Sequence, residues 1–301
     1  MRELNLQRGG KVNRVIQAGF ANNKVRVVAV DSTNMTIHMQ KIHDLYPMST
    51  VILGRVSTAA ILLGTWMSEK EKVSIFFDGD GPAGEVVAKS DNNLNVKSYI
   101  KNKKIEAMFK ENGHFDVQKA IGEGNLHVIR DMELKDPVTS NVEIISGEIA
   151  EDIAYYMNQA EQIPSAVSLG VLLDKDGVRA SGGIMLQILD QSMKENELID
   201  YEKRFMSIPP ITSYLDKGNN LRDLINIFGE SDYIEEKNAQ YKCDCNDERV
   251  KNSLVSFDIE ELEDMKKQGG IKVKCEWCSK EYNIDEKDLE EIIVGKGSKN
   301  A

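Results

Sequence analysis

The sequence predicts an α+β protein in three parts: an N-terminal domain of mixed sheet and helix over 1–188, a helical linker over 189–234, and a small C-terminal domain over 235–301. Three observations lead there. A length of 301 residues, 41% hydrophobic and 29% charged, suits about two ordinary globular domains. Strand-like and helix-like segments follow one another without a βαβ rhythm up to Ile188. All four cysteines fall between Cys243 and the C-terminus, a clustering that random scattering gives with a probability of about 0.0015.

The elements follow in order. Val12 to Phe20 and Lys24 to Val30 read as strands joined at the turn dipeptide Asn22-Asn23. Thr33 to Leu45 reads as a helix that stops before Tyr46-Pro47, because a residue preceding proline disfavours α. Met48 to Met67 is a second helix. Its core, Val51 to Met67, is the longest apolar stretch, but it carries Arg55, Ser57 and Thr58 and is short for a membrane span, so a buried helix is expected. Strands follow at Val73 to Phe77, Glu85 to Ala88 and Val96 to Ile100, with a polar turn over Asp91 to Asn95. Asn125 to Ile129 and Val142 to Ile145 continue the sheet. Gly147 to Gln162 reads as a helix with Ile149, Ile153, Ala154 and Met157 on one face, stopped by Pro164. Val167 to Leu173 and Val178 to Ile188 form a hairpin, with a bulge expected at Gly182-Gly183.

Beyond Asp190 the character changes. Ten of the 28 residues in 190–217 are charged, and Met193, Leu198, Tyr201 and Phe205 make a thin stripe at helical spacing. Pro209-Pro210 interrupts this, and Ile211 to Phe228 resumes it. Such a stripe suits either a surface helix pair or a marginal element that needs neighbours to stay folded. The last unit begins near Ile234. Asp258 with Glu261 makes a capping box, and Gly269-Gly270 ends that helix. Ile271 to Lys274 and Glu281 to Ile284 read as a hairpin with Cys275 and Cys278 at its tip, and Asp285 to Val294 as a final helix.

The chemistry concentrates in Cys243-x-Cys245 and, 29 residues on, Cys275-x-x-Cys278. Two close thiol pairs brought together suit tetrahedral zinc, and none of His38, His43, His114 or His127 lies in this segment, so one zinc ion per chain held by cysteine alone is expected. The fold class is therefore α+β with a small C-terminal four-cysteine zinc-binding domain. A unit of this size buries little apolar surface, and a metal supplies the missing folding energy. The spacing also lets each pair close its own disulfide. Lys242, Arg249, Lys274 and Lys280 lie beside the cysteines and soften the charge of four thiolates. An inert structural site and a redox-active one both fit this pattern.

Other motifs carry less. Gly79-Asp80-Gly81-Pro82-Ala83-Gly84 matches G-x-G-x-x-G after a strand, but Pro82 and an extended Glu85 to Lys89 make it a hairpin turn. No G-x-x-x-x-G-K-[ST] occurs, so no ATP site is expected. Glu148, Glu151 and Asp152 read as partners of a helix N-terminus, and neither they nor Glu161 are expected to be catalytic. A net charge of −11 speaks against nucleic-acid or anionic-membrane partners. The first residues, MRELNLQRGGKVNRVIQ, lack a signal-peptide core, and a cytoplasmic protein is expected.

Taken together these features resemble the redox-regulated 33-kDa heat-shock chaperone family. The resemblance rests on Tyr46-Pro47 before the Leu53-Gly54 helix, the Asp78-Gly79-Asp80-Gly81-Pro82 turn, and Gly147-Glu148-Ile149-Ala150-Glu151-Asp152. It continues through Glu161-Gln162-x-Pro164-Ser165, Leu169-Gly170-Val171 and Gly182-Gly183 to the C-x-C…C-x-x-C set. Two departures stand out: Ala160 where the family often has serine, and Asn246-Asp247 where Ser-Arg is usual.

The resemblance implies a non-enzymatic, ATP-independent holdase for unfolding proteins that is inactive when reduced and zinc-bound. It implies activation by oxidation, with Cys243–Cys245 and Cys275–Cys278 disulfides, zinc release, unfolding of the C-terminal domain and linker, and a homodimeric active form. The alternatives are a zinc-ribbon nucleic-acid module and a thiol oxidoreductase. The first is opposed by 17 acids against 12 bases in 233–301, and the second by the lack of a C-x-x-C opening a helix beside a βαβ unit.

Overall fold

Ala21, Asn22 and Asn23 all take positive φ (54°, 58° and 61°), the conformation a tight turn demands and asparagine tolerates. They fold Asn13–Phe20 (β1) back onto Val25–Asp31 (β2) in antiparallel register. The computed structural model from which this is read describes residues 12–297; the absence of a signal segment was expected from residues that lie largely outside this range. Thr33–His43 (α1) ends at Asp44, whose left-handed backbone closes it. Pro47 then opens Pro47–Gly64 (α2), where its missing N–H costs nothing. This helix is long and apolar enough to cross a membrane by composition, yet 89% of it is buried inside the protein.

Lys72–Gly79 (β3), Val86–Asp91 (β4) and Asn95–Ile100 (β5) form an antiparallel meander. The glycine-rich stretch is the turn between β3 and β4, and no helix starts there. A side chain on Gly79 would meet the Ile121 carbonyl oxygen at 2.1 Å, so its glycine serves close backbone packing. A short helix not expected from sequence, Val117–Ile121 (α3), supplies that backbone, capped by the Asp116 carboxylate. Gly124–Asp131 (β6) and Val138–Glu143 (β7) pair next. β7 lies earlier than the Val142 to Ile145 expected, because the polar residues Thr139, Ser140 and Asn141 join the ladder with β6 through backbone pairing that no apolar alternation announces.

The helix expected over 147–162 is only Ala150–Gln159 (α4). Its first residues form a loop around Asp152, whose fully buried carboxylate accepts N–H groups of Ile145, Ser146 and Ile149, each at 2.9 Å. Ser165–Asp174 (β8) and Gly177–Ile188 (β9) make the expected hairpin. The bulge sits at Leu172/Leu173 rather than at Gly182-Gly183. Those glycines stay in register because a side chain on Gly182 would meet the Val30 carbonyl at 2.4 Å.

The linker folds into Glu195–Met206 (α5), Ile211–Asp216 (α6) and Leu221–Asn226 (α7). Tyr233–Tyr241 (β10) then returns to the sheet, antiparallel to β1 from Asn13↔Ala239 to Gly19↔Tyr233 and briefly parallel to β5. The sheet order is β7-β6-β3-β4-β5-β10-β1-β2-β9-β8. Residues 235–241 therefore belong to this sheet, and the chain divides after Lys242 rather than at 235. Seven β1 pairings and a buried Ala239 hold the strand there despite its polar sequence.

Strand alternation splits the apolar residues between two faces. Val15, Val28 and Val30 meet α1, α2 and α4 on one side. Ile16, Ala18, Phe20, Val25 and Val27 meet Leu221, Leu224, Ile225 and Phe228 of the linker on the other.

Candidate metal centre

The second unit builds a separate core from Val250, Leu254, Leu262, Tyr282, Ile284 and Leu289. Asp247–Leu254 (α8) is capped by the Asn246 side chain, which accepts the Arg249 N–H at 2.8 Å. Ile259–Lys267 (α9) carries the Asp258–Glu261 capping box. Ile271–Lys274 (β11) and Glu281–Ile284 (β12) form the expected hairpin, and Glu286–Gly297 (α10) closes the unit. The departure at Asn246-Asp247 thus falls at a helix start, where Asn caps and Asp meets the positive end of the dipole.

The hairpin turn carries Cys275 and Cys278. It is held by Cys275 N–H to the Lys280 carbonyl at 2.9 Å and Ser279 N–H to the Cys275 carbonyl at 2.8 Å. Cys243 and Cys245 lie on the segment leading into α8. All four sulfurs lie within 4.8 Å of one another, and all four side chains are half-buried and unlinked. Cys243 Sγ is 3.8 Å from Cys275 Sγ, and Cys245 Sγ is 3.4 Å from Cys278 Sγ. Four zinc–sulfur bonds of about 2.3 Å place tetrahedral sulfurs about 3.8 Å apart. The group is therefore arranged as ligands around a point. Among the described residues no histidine joins it: His43 bonds the Tyr241 hydroxyl at 3.2 Å, and His127 pairs with Asn141 at 2.5 Å. Thiol donors alone suit a soft or borderline divalent ion.

The sulfurs are not equivalent. Burial pushes the Cys243 thiol well above the usual range and Cys278 up to about 11. Burial also opposes ionisation of Cys245, but hydrogen bonds from Tyr282 and the neighbouring sulfurs outweigh it and bring this thiol down to about 7. The Tyr282 hydroxyl donates to Cys245 Sγ at 3.0 Å. Sequence reading missed this residue, although alternation along β12 points Tyr282 and Ile284 to the same inner face. It also missed that Arg249, named for its charge beside the cysteines, is tied to the Asp244 carboxylate between Cys243 and Cys245.

Two of the acidic residues passed over as catalytic are held by cations or a phenol. Glu148 accepts from Arg55 at 2.8 Å and Lys110 at 2.5 Å, and Glu161 accepts from Tyr156 at 2.5 Å and pairs with Arg130 at 3.1 Å.

A ten-stranded sheet domain followed by a four-thiol unit defines a class of protein whose relatives are named as chaperonins. The 33 kDa chaperonin of Thermotoga maritima is 42% identical over 276 residues, 91% of this chain and 95% of that protein. That of Thermosipho melanesiensis is 38% identical over 274 residues, covering 90% and 96%. The crystal structure of the 33 kDa chaperonin (heat shock protein 33 homolog) from Thermotoga maritima superposes with a TM-score of 0.90 at 40% identity, over 96% of this chain and 100% of that one. A family model described as Hsp33 protein matches residues 13–285, and the chain belongs to the Hsp33 family.

Proposed function

We propose that this chain is a redox-controlled, ATP-independent holdase. In this reading it is quiet while Cys243, Cys245, Cys275 and Cys278 bind one zinc ion. It becomes active when Cys243–Cys245 and Cys275–Cys278 are joined as disulfides. The observation that carries the reading is the convergence of four half-buried sulfurs in a unit with so small an apolar core. Bound zinc supplies four bonds that tie the Cys243–Cys245 segment to the hairpin tip, a folding contribution on the order of 10 kcal/mol.

A peroxide removes that support. Each thiol pair gives up two protons and two electrons, the O–O bond breaks, and one disulfide and two waters form. Disulfide sulfurs no longer serve as thiolate ligands, so the unit loses its cross-links and unfolds. The nearest sulfurs now belong to different motifs, and the pairing within each motif is the one family resemblance implies.

Unfolding then spreads into the linker. β10 runs directly into Cys243, and its Glu236 accepts from Arg222 of α7 at 2.6 Å and Arg14 of β1 at 3.3 Å. Helices of 12, 6 and 6 residues do not persist without packing. As they leave, Ile16, Ala18, Phe20 and Val27 present an apolar sheet face to unfolded clients. The functional parts are thus the sheet domain, the linker over 189–234 and the cysteine unit. The active form is a homodimer, and the cytoplasm is the compartment that keeps the thiols reduced.

The test is light scattering of a chemically unfolded client diluted without ATP into reduced or peroxide-treated protein, with zinc measured in both. Suppression confined to the oxidised, zinc-free form is expected. Equal behaviour of the two forms overturns the redox control, and peptide mapping of the oxidised chain checks the pairing.

A further inference from the structure

The hydrogen bond at Cys245 has a purpose that packing does not explain. Tyr282 is 3% exposed, and its ring is part of the apolar core with Val250, Leu262 and Leu289. Its hydroxyl leaves that core and ends on Cys245 Sγ at 3.0 Å. The Lys280 ammonium stands 4.5 Å from the centre of the same ring. A cation over a phenol face draws electron density from the ring and makes the O–H a stronger donor. Backbone N–H groups reach two other sulfurs: that of Cys245 bonds Cys243, and that of Lys280 bonds Cys278. Cys245 instead receives a side-chain donor, one that a single substitution removes.

A hydrogen bond into a metal-bound thiolate occupies a sulfur lone pair. It orients the ligand and lowers its reactivity towards electrophiles. We infer that Tyr282 is a positioning residue that guards Cys245, with Lys280 strengthening the guard, so that this pair sets how much peroxide the four-thiol centre withstands. This rests on the metal-binding reading above. The step it controls is attack of the Cys245 sulfur on a peroxide oxygen: the S–O bond forms, the O–O bond breaks, and the leaving oxygen departs as water once protonated. A second cysteine then displaces the new hydroxyl from sulfur as water and forms the disulfide.

The experiment compares the full-length wild type, Tyr282→Phe and Lys280→Gln, each reduced and loaded with zinc. The phenylalanine keeps the core ring and removes only the hydroxyl. Zinc release is followed with a chromogenic chelator under excess hydrogen peroxide, and alkylation of each cysteine by mass spectrometry. Release and Cys245 alkylation are expected to accelerate roughly tenfold in Tyr282→Phe, in line with the loss of an outer-shell partner, and less in Lys280→Gln. The cobalt-loaded proteins give a readout that packing alone does not move. Without the hydroxyl, the sulfur-to-cobalt charge-transfer band shifts to lower energy. Unchanged rates and an unchanged band in both variants overturn the inference. Lys280 is exposed, so its variant decides the matter even if Tyr282→Phe is unstable. Wild-type protein that binds neither zinc nor cobalt overturns the metal reading itself, a separate and distinguishable outcome.

Discussion

Replacing Phe228 with alanine tests, without oxidation, whether the sheet face beneath the linker is the client surface proposed above. Phe228 is 2% exposed and packs on Phe20, with ring centres 5.9 Å apart at 49°. It follows α7, whose Leu224 and Ile225 are fully buried. Truncating a buried phenylalanine costs about 3–5 kcal/mol, and every 1.4 kcal/mol is about tenfold in an equilibrium. A loss of about 4 kcal/mol therefore raises local opening of the linker roughly a thousandfold. The α1–α2 face of the sheet does not contain this residue and keeps its packing. The expected result is a reduced, zinc-loaded Phe228→Ala protein that already suppresses client aggregation. Hydrogen exchange should show lost protection over 195–228 and retained protection in β1 and β2. If the linker opens by exchange and the reduced variant still fails to suppress aggregation, the surface beneath the linker is not the client site.

Three further outcomes are expected. A chelator, or Cys275→Ser, should remove exchange protection from 243–297 while β3 to β6 stay protected; a variant that remains metal-loaded and ordered refutes the coupling of metal to fold. For Glu148→Gln, burial raises the carboxyl's pKa, but the hydrogen bonds from Lys110 and Arg55 outweigh it and hold it below the ordinary range. Its stabilisation is thus complete above the unfolded pKa and lost as pH falls through the folded one, so a thermal-melt deficit of about 1–2 kcal/mol at neutral pH should shrink and then vanish as the pH is taken below the ordinary carboxylate range. In Asp152→Asn one of the two acceptor oxygens becomes N–H₂, so either the Ile149 N–H or the Ile145 and Ser146 N–H groups face a donor, and denaturant titration should report a loss of about 3 kcal/mol.

Much of the fold was legible where chemistry is local. Asn22-Asn23 announced the first hairpin, Tyr46-Pro47 the end of α1, and the cysteine pair the tip of the β11–β12 hairpin. What stayed hidden depends on partners far along the chain. β10 carries Glu235, Glu236 and Lys237 and from sequence falls in the C-terminal unit, because its pairing with β1 is written in backbone hydrogen bonds rather than side-chain alternation. Gly182 looked like a bulge until the Val30 carbonyl took the space a side chain would need. Asp152 is a local exception: it reads as a dipole partner, and instead it organises the loop before its helix. Of the site, the four sulfurs were readable from spacing, whereas the Tyr282 contact required β12 to bring a phenol from 37 residues away to Cys245.

The strand that closes the sheet arrives late in synthesis. Until Tyr233–Tyr241 leaves the ribosome, β1 and β5 are open edges whose partner does not yet exist, and the Asn13–Ala239 hydrogen bond spans 226 positions. Non-local pairing of this kind slows folding and leaves strand edges free to join other chains. A member of the Hsp33 family thus passes through a stage in which its own nascent chain is at risk of aggregation, and faster translation of the region between β9 and β10 should shorten that stage.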